Sequence, residues 1–83
     1  MPRISPLRRR VERAEQRIAE LEAEEREVNA ALAAGAPGTD YAVQGSRLRT
    51  LQHELHKTAL EWERDATALE ALNRELAEAQ ERI

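Results

Sequence analysis

Residues 48–83 read LRTLQHELHKTALEWERDATALEALNRELAEAQERI. Every seventh residue of this stretch is large and apolar: Leu48, Leu55, Trp62, Leu69, Leu76 and Ile83. A repeat of seven keeps one seam of a helix turned toward a partner helix, with the pair wound into a left-handed supercoil. Glycine and proline are absent from Arg47 to Arg82, so about 36 residues can run as one helix of roughly 54 Å. The companion seam positions, three residues after each main one, are Leu51, Thr58, Asp65, Leu72 and Ala79. Thr58 and Asp65 suit a seam poorly, whereas their neighbours Ala59 and Ala66 are apolar. The stripe is therefore expected to drift sideways around Trp62.

A seam needs an apolar partner, and the upstream chain supplies one. Leu7, Val11, Ala14, Ile18, Leu21, Val28 and Leu32 follow spacings of four and three, with Glu25 in one seam position. Ser5-Pro6 is a good opening, a serine able to cap followed by a proline whose missing N–H is harmless at the first helical position. Gly35-Ala36-Pro37-Gly38 is a good ending, because glycine takes the left-handed cap and proline cannot continue the ladder. Thr39 or Asp40 can cap the next helix, while Gly45-Ser46 can interrupt it or serve as a later cap.

The expectation is a single all-α domain over residues 1–83, an antiparallel two-helix coiled-coil hairpin. Its helices span about 6–34 and 41–82, joined by a turn over about 35–40, since a short connection makes long helices antiparallel neighbours. Folding about residue 39 pairs positions whose numbers sum to about 78. Trp62 then meets Ala14 and Ile18 as part of the core, Leu55 meets Leu21, Leu48 meets Val28 and Leu32, and Leu69 meets Leu7 and Val11. Ala79 and Ile83 project past the first helix. A second copy or a foreign helix is the expected cover for Leu76, Ala79 and Ile83, and a structural interaction coiled coil, self-associating or pairing with a partner helix, is the alternative function.

Composition narrows the functions. Three glycines, three prolines, one tryptophan, one tyrosine and no phenylalanine in 83 residues match a long helix or coiled coil rather than a mixed globular fold. A hairpin of two helices buries too little surface to enclose and dehydrate a substrate, so no catalytic site is expected in this chain. The absence of cysteine excludes disulfides, thiolate metal sites and a cysteine nucleophile. No apolar run follows the basic opening from Met1 to Arg10, so no secretory signal is expected, and no segment has the roughly 18 apolar residues of a membrane span. A soluble cytoplasmic chain without cofactor or membrane contact is the expectation.

The net charge of −3 conceals an asymmetry. Residues 1–18 carry Arg3, Arg8, Arg9, Arg10, Arg13 and Arg17 against Glu12 and Glu15, a local +4. Residues 19–28 carry Glu20, Glu22, Glu24, Glu25 and Glu27 against Arg26, a local −4. Arg8, Arg9, Arg10, Arg13 and Arg17 form the sharpest functional signal. Arg9, Arg13 and Arg17 share one helix face at spacing four, and such a row can follow a phosphate backbone, where counterion release gives affinity without sequence readout. The competing reading is a solvated face paired internally, for example Arg13 or Arg17 with Glu20 or with acids on the second helix. No aromatic residues alternate with these cations, so base stacking is not expected.

Two other groups carry less. His53 and His56 sit one turn apart beside Glu54 but lack the spacing of a zinc protease helix, and a surface role is expected. Glu25 and Asp65 are seam carboxylates set apart by more than roughly 15 Å along the hairpin, which suits register-setting residues rather than a catalytic pair. No phosphate-cradling glycine loop and no metal site are expected.

From Leu21 to Leu69 the chain resembles the C-terminal coiled-coil domain of ABC-F ATPases of the Uup type. The resemblance rests on a heptad helix, a turn carrying Thr39-Asp40-Tyr41, leucine-rich heptads and then Glu61-Trp62. In that family a turn with an aspartate and a tyrosine joins two antiparallel helices, and a tryptophan preceded by acidic residues lies in the second. The basic run from Arg3 to Arg13 is similar to the linker that leads into the domain. Gly35 to Gly38 is richer in glycine than the family's turn, Gly45-Ser46 falls where a helix begins there, and residues 70–83 prolong the coil. The resemblance implies a piece of a longer cytoplasmic ATPase acting on ribosomes. This part would be an accessory arm that binds DNA or ribosomal RNA, with ATP hydrolysis left to the rest of that chain.

Overall fold

A computed structural model describes the backbone of residues 4–81 and the side chains from Ser5 to Glu81. Helix α1 (Ile4–Ala34) and helix α2 (Tyr41–Glu81) lie side by side in a rod of 69 × 16 × 15 Å. Among the described residues there is no strand, and the fold is the all-α antiparallel hairpin that the two heptad stripes imply.

Local chemistry sets the ends. α1 starts at Ile4, earlier than a Ser5 cap would allow, and takes Ser5 and Pro6 into its first turn. Proline is tolerated in the first turn of a helix, where an N–H ordinarily lacks an intrahelical acceptor. α1 stops at Gly35, whose φ of 58° is the left-handed conformation open to glycine. In the turn, the Thr39 N–H and hydroxyl both donate to the Ala36 carbonyl oxygen, at 3.1 and 2.7 Å. Asp40 is the cap of α2. Its Oδ1 accepts the Val43 N–H at 3.1 Å, and its carbonyl oxygen accepts the Gln44 N–H at 3.0 Å. With that cap in place, α2 passes through Gly45-Ser46 without a break and runs for 41 residues, about 61 Å.

The tightest packing lies near the turn. Leu21 and Val28 are each 1% exposed and pack with Leu51, and Leu32, Leu48 and Leu55 close around them. Leu51 apart, these are the residues that folding about the turn is expected to bring together. Farther out, the ion pair of Arg10 with Asp65 joins residues whose numbers sum to 75, near the expected pairing.

Burial along α2 corrects two expectations. The most buried line is the companion one, Leu51, Thr58 and Asp65, while Leu48, Leu55, Leu69 and Leu76 are half-buried. Trp62, expected in the core, stands at the seam's margin with 36% of its surface exposed. A single partner helix covers α2 from one side only and cannot enclose an indole. Nor does the stripe step aside to Ala59, which is exposed, although Ala66 is half-buried. Thr58 is small, and Asp65 is reached by arginines from both helices, so the seam keeps its course through both.

α2 is ten residues longer than α1, and its last turns carry the half-buried Leu76 and the exposed Ala79. Ile83 lies outside the described residues. No described helix is long and apolar enough to cross a membrane.

Candidate nucleic-acid interface

The arginine row occupies the first turns of α1, at the open end of the hairpin. Leu7, Val11 and Ala14 turn toward α2, which leaves Arg8, Arg9, Arg10, Arg13 and Arg17 on the remaining surface, all exposed. α1 has no acidic residue in its first turn. The helix dipole falls off within that turn, so the charge of the row is that of the arginines themselves.

The five do not act alike. Arg10 reaches across the seam, its Nε 3.5 Å from Asp65 Oδ2. Arg17 pairs along its own helix with Glu20 at 3.4 Å, and Arg13 Nε donates to the Arg9 carbonyl oxygen at 3.5 Å. The expected internal pairing of Arg17 with Glu20 is thus present, but in the exposed form that contributes little to stability and exchanges readily for another anion. Arg9 and Arg13 share a shallow hollow with Glu12 and Gln16. Arg8 is exposed as well.

Between the helices lies an open groove of about 380 Å³. Arg10, Arg13 and Arg17 form its α1 rim, and Lys57 and Arg64 form its α2 rim. Ala14, Thr58 and Asp65 make its floor, and Glu54 and Glu61 also line it. Arg64 Nε stands 3.6 Å from Asp65 Oδ1. The Asp65 carboxylate, on a residue 6% exposed, is therefore held between a guanidinium from each helix. Such pairing is what permits a charged group at a seam's centre.

Reading the residues one helix at a time missed Lys57 and Arg64. Their signal was present: they are seven apart, so they share a face of α2, and the hairpin pairing sets that face opposite Arg10 and Arg17. Glu25 is half-buried and takes no part in the Asp65 trio. His53 and His56 are exposed on α2, and among the described residues no group of three or more histidines and carboxylates is placed to hold a metal. No family model, no curated protein and no solved structure matches this chain.

Proposed function

We propose that the hairpin is a nucleic-acid-binding coiled-coil arm. It holds the phosphate backbone of DNA or ribosomal RNA without base readout through Arg8, Arg9, Arg10, Arg13 and Arg17. In this reading it is an accessory arm of a cytoplasmic ABC-F ATPase, with the rest of that chain as its covalent partner and the cassettes as the site of ATP hydrolysis. The observation that carries the binding role is the gathering of five exposed arginines in the first half of one helix. Without a bound anion, Arg9 and Arg13, four residues apart and with no salt bridge of their own among the described residues, repel each other. With phosphates bound, the same charges become favourable.

Fluorescence anisotropy with a labelled 20-base-pair duplex tests the role. Five phosphate contacts weaken binding roughly 500-fold between 50 and 200 mM salt, and the triple change Arg9→Glu, Arg13→Glu, Arg17→Glu removes it. Binding untouched by that change rejects these residues. The parentage has a separate test, a genomic reading frame that continues upstream into two ATP-binding cassettes; a frame without them rejects it.

A second reading has one observation in its favour. α2 outruns α1 by ten residues, which leaves its end to pair with a second copy through Leu76, Ala79 and Ile83. Sedimentation equilibrium over a hundredfold concentration range distinguishes the two, since a monomer throughout removes self-pairing.

A further inference from the structure

The basic signal is not confined to α1. Arg10, Arg13 and Arg17 look across the groove at a wall of α2 that carries Lys57 and Arg64 among Glu54, Glu61 and Asp65. Against the five cations stand the three carboxylates, which leaves the groove at a net +2. We infer that this two-helix groove is the phosphate-binding track itself. One strand of a nucleic acid lies along the seam, and Lys57 and Arg64 contact its phosphates together with Arg10, Arg13 and Arg17. The inference rests on the nucleic-acid reading and assigns it two residues on the second helix.

Three features support the assignment. Asp65 holds Arg10 and Arg64 side by side through their Nε atoms, while the terminal nitrogens of each carry four of the five guanidinium N–H donors. The side chains of Arg10 and Arg64 are 54% and 73% exposed, so those donors are open to an incoming phosphate. Asp65 thus acts as a positioning residue that draws two guanidiniums toward each other across the seam, where both can reach a phosphate. The spacing also fits. Arg10 to Arg17 and Lys57 to Arg64 each span seven residues, roughly 10.5 Å along a helix, so the two ends of each rim reach separate phosphates of a strand laid along the seam. Finally, the floor of Ala14, Thr58 and Asp65 offers no large apolar side chain. An acidic helix from a protein would find charge there but no pocket for an anchor, whereas a sugar-phosphate strand needs none.

The test uses the whole 83-residue chain and the same 20-base-pair duplex. Lys57→Gln with Arg64→Gln is compared with Arg47→Gln and Arg49→Gln, which change net charge equally at exposed positions near the turn. Loss of two phosphate contacts lowers the salt slope by about 1.8, so the weakening between 50 and 200 mM is about 12-fold smaller than for the parent chain. The Arg47/Arg49 variant keeps the parent slope. A second variant, Glu54→Gln with Glu61→Gln, removes acids from the groove and tightens binding about tenfold, since like-charge opposition is relieved. Equal losses for the two cation variants overturn the groove, as does displacement of the duplex by poly-glutamate at matched charge. Binding that depends on Arg9 and Arg13 but not on Lys57 and Arg64 removes the groove and leaves the α1 row standing. Absence of binding by the parent chain removes both.

Discussion

The two halves of the hairpin are built on different terms. Near the turn, Leu21, Val28 and Leu51 form a dry contact, with Leu32, Leu48 and Leu55 around it. Toward the open end the same seam passes through Ala14, Thr58 and Asp65, and a groove opens beside it. Leu7 and Val11 are buried at the open end as well, so both halves gain from apolar area removed from water, but the distal half also spends seam positions on a small residue, a hydroxyl and a carboxylate. Two helices have one seam, and a position that positions charge cannot also bury a leucine. The difference puts the tightest apolar contact in the turn-proximal half and the charged groove in the distal half.

The largest expected effect breaks the first half. Leu21→Ala removes a side chain that is 1% exposed and should cost about 2–5 kcal/mol, much of the stability of a chain this small. Urea unfolding followed by circular dichroism at 222 nm measures it. A cost below about 1 kcal/mol would mean the turn-proximal contact is no tighter than the rest of the seam, and the contrast between the halves would collapse.

The next change works on the other half and has the opposite sign. Asp65→Leu replaces a buried carboxylate with an apolar side chain while its partners, Arg10 and Arg64, remain largely in water. The usual penalty for breaking a buried pair comes from stranding the other charge in the interior, and neither arginine is stranded here. A gain of about 1–2 kcal/mol is expected, together with weaker duplex binding because the two guanidiniums lose the group that holds them. A loss of stability instead would make the Asp65 trio a structural clasp.

The same contrast explains what could be read from the residues alone. The hairpin, the Gly35 stop, the Asp40 cap and the Leu21–Val28–Leu51 contact all follow from local chemistry and heptad spacing, which act through one or two turns of chain. The course of the seam through Thr58 and Asp65 does not. Apolarity alone favours the line through Trp62, and only the meeting of Arg10 with Asp65 across the pairing makes the polar line the buried one. Lys57 and Arg64 stayed out of sight for the same reason, since a charge on α2 becomes part of a groove only when the opposite rim is known. Arg8 and Arg9 mark the limit in the other direction: the sequence groups them with Arg10, yet neither lines the groove between the helices.

A smaller effect sharpens the role of the turn. Asp40→Ala removes the Oδ1 acceptor of the Val43 N–H and should cost about 1 kcal/mol. Asn at this position retains an acceptor and should recover most of it. If both variants melt like the parent chain, α2 is held from its seam and not from its start.

The smallest expected effect concerns Gly45, in the turn-proximal half and inside α2. Glycine in a helix interior is destabilising by roughly 0.5–1 kcal/mol relative to alanine, because it gives up more backbone freedom on folding. It is retained at no cost to packing only if a methyl group would collide with something. An ideal Cβ there meets Arg49 NH1 at 3.8 Å, an ordinary contact, and no atom of α1 within 4 Å. Gly45→Ala should therefore raise the melting temperature by roughly 2–8 °C and leave duplex binding unchanged, since the position is three turns from the nearest groove cation on its own helix. The contrast with Gly35 is instructive. There φ is 58° and a Cβ would stand 3.1 Å from the Tyr41 hydroxyl, so alanine is strained by both backbone and neighbour. A Gly45→Ala chain that melts lower than its parent would require α1 to approach α2 more closely at this point than the seam geometry allows, and would move the tightest contact of the hairpin from Leu21 and Val28 to the turn itself.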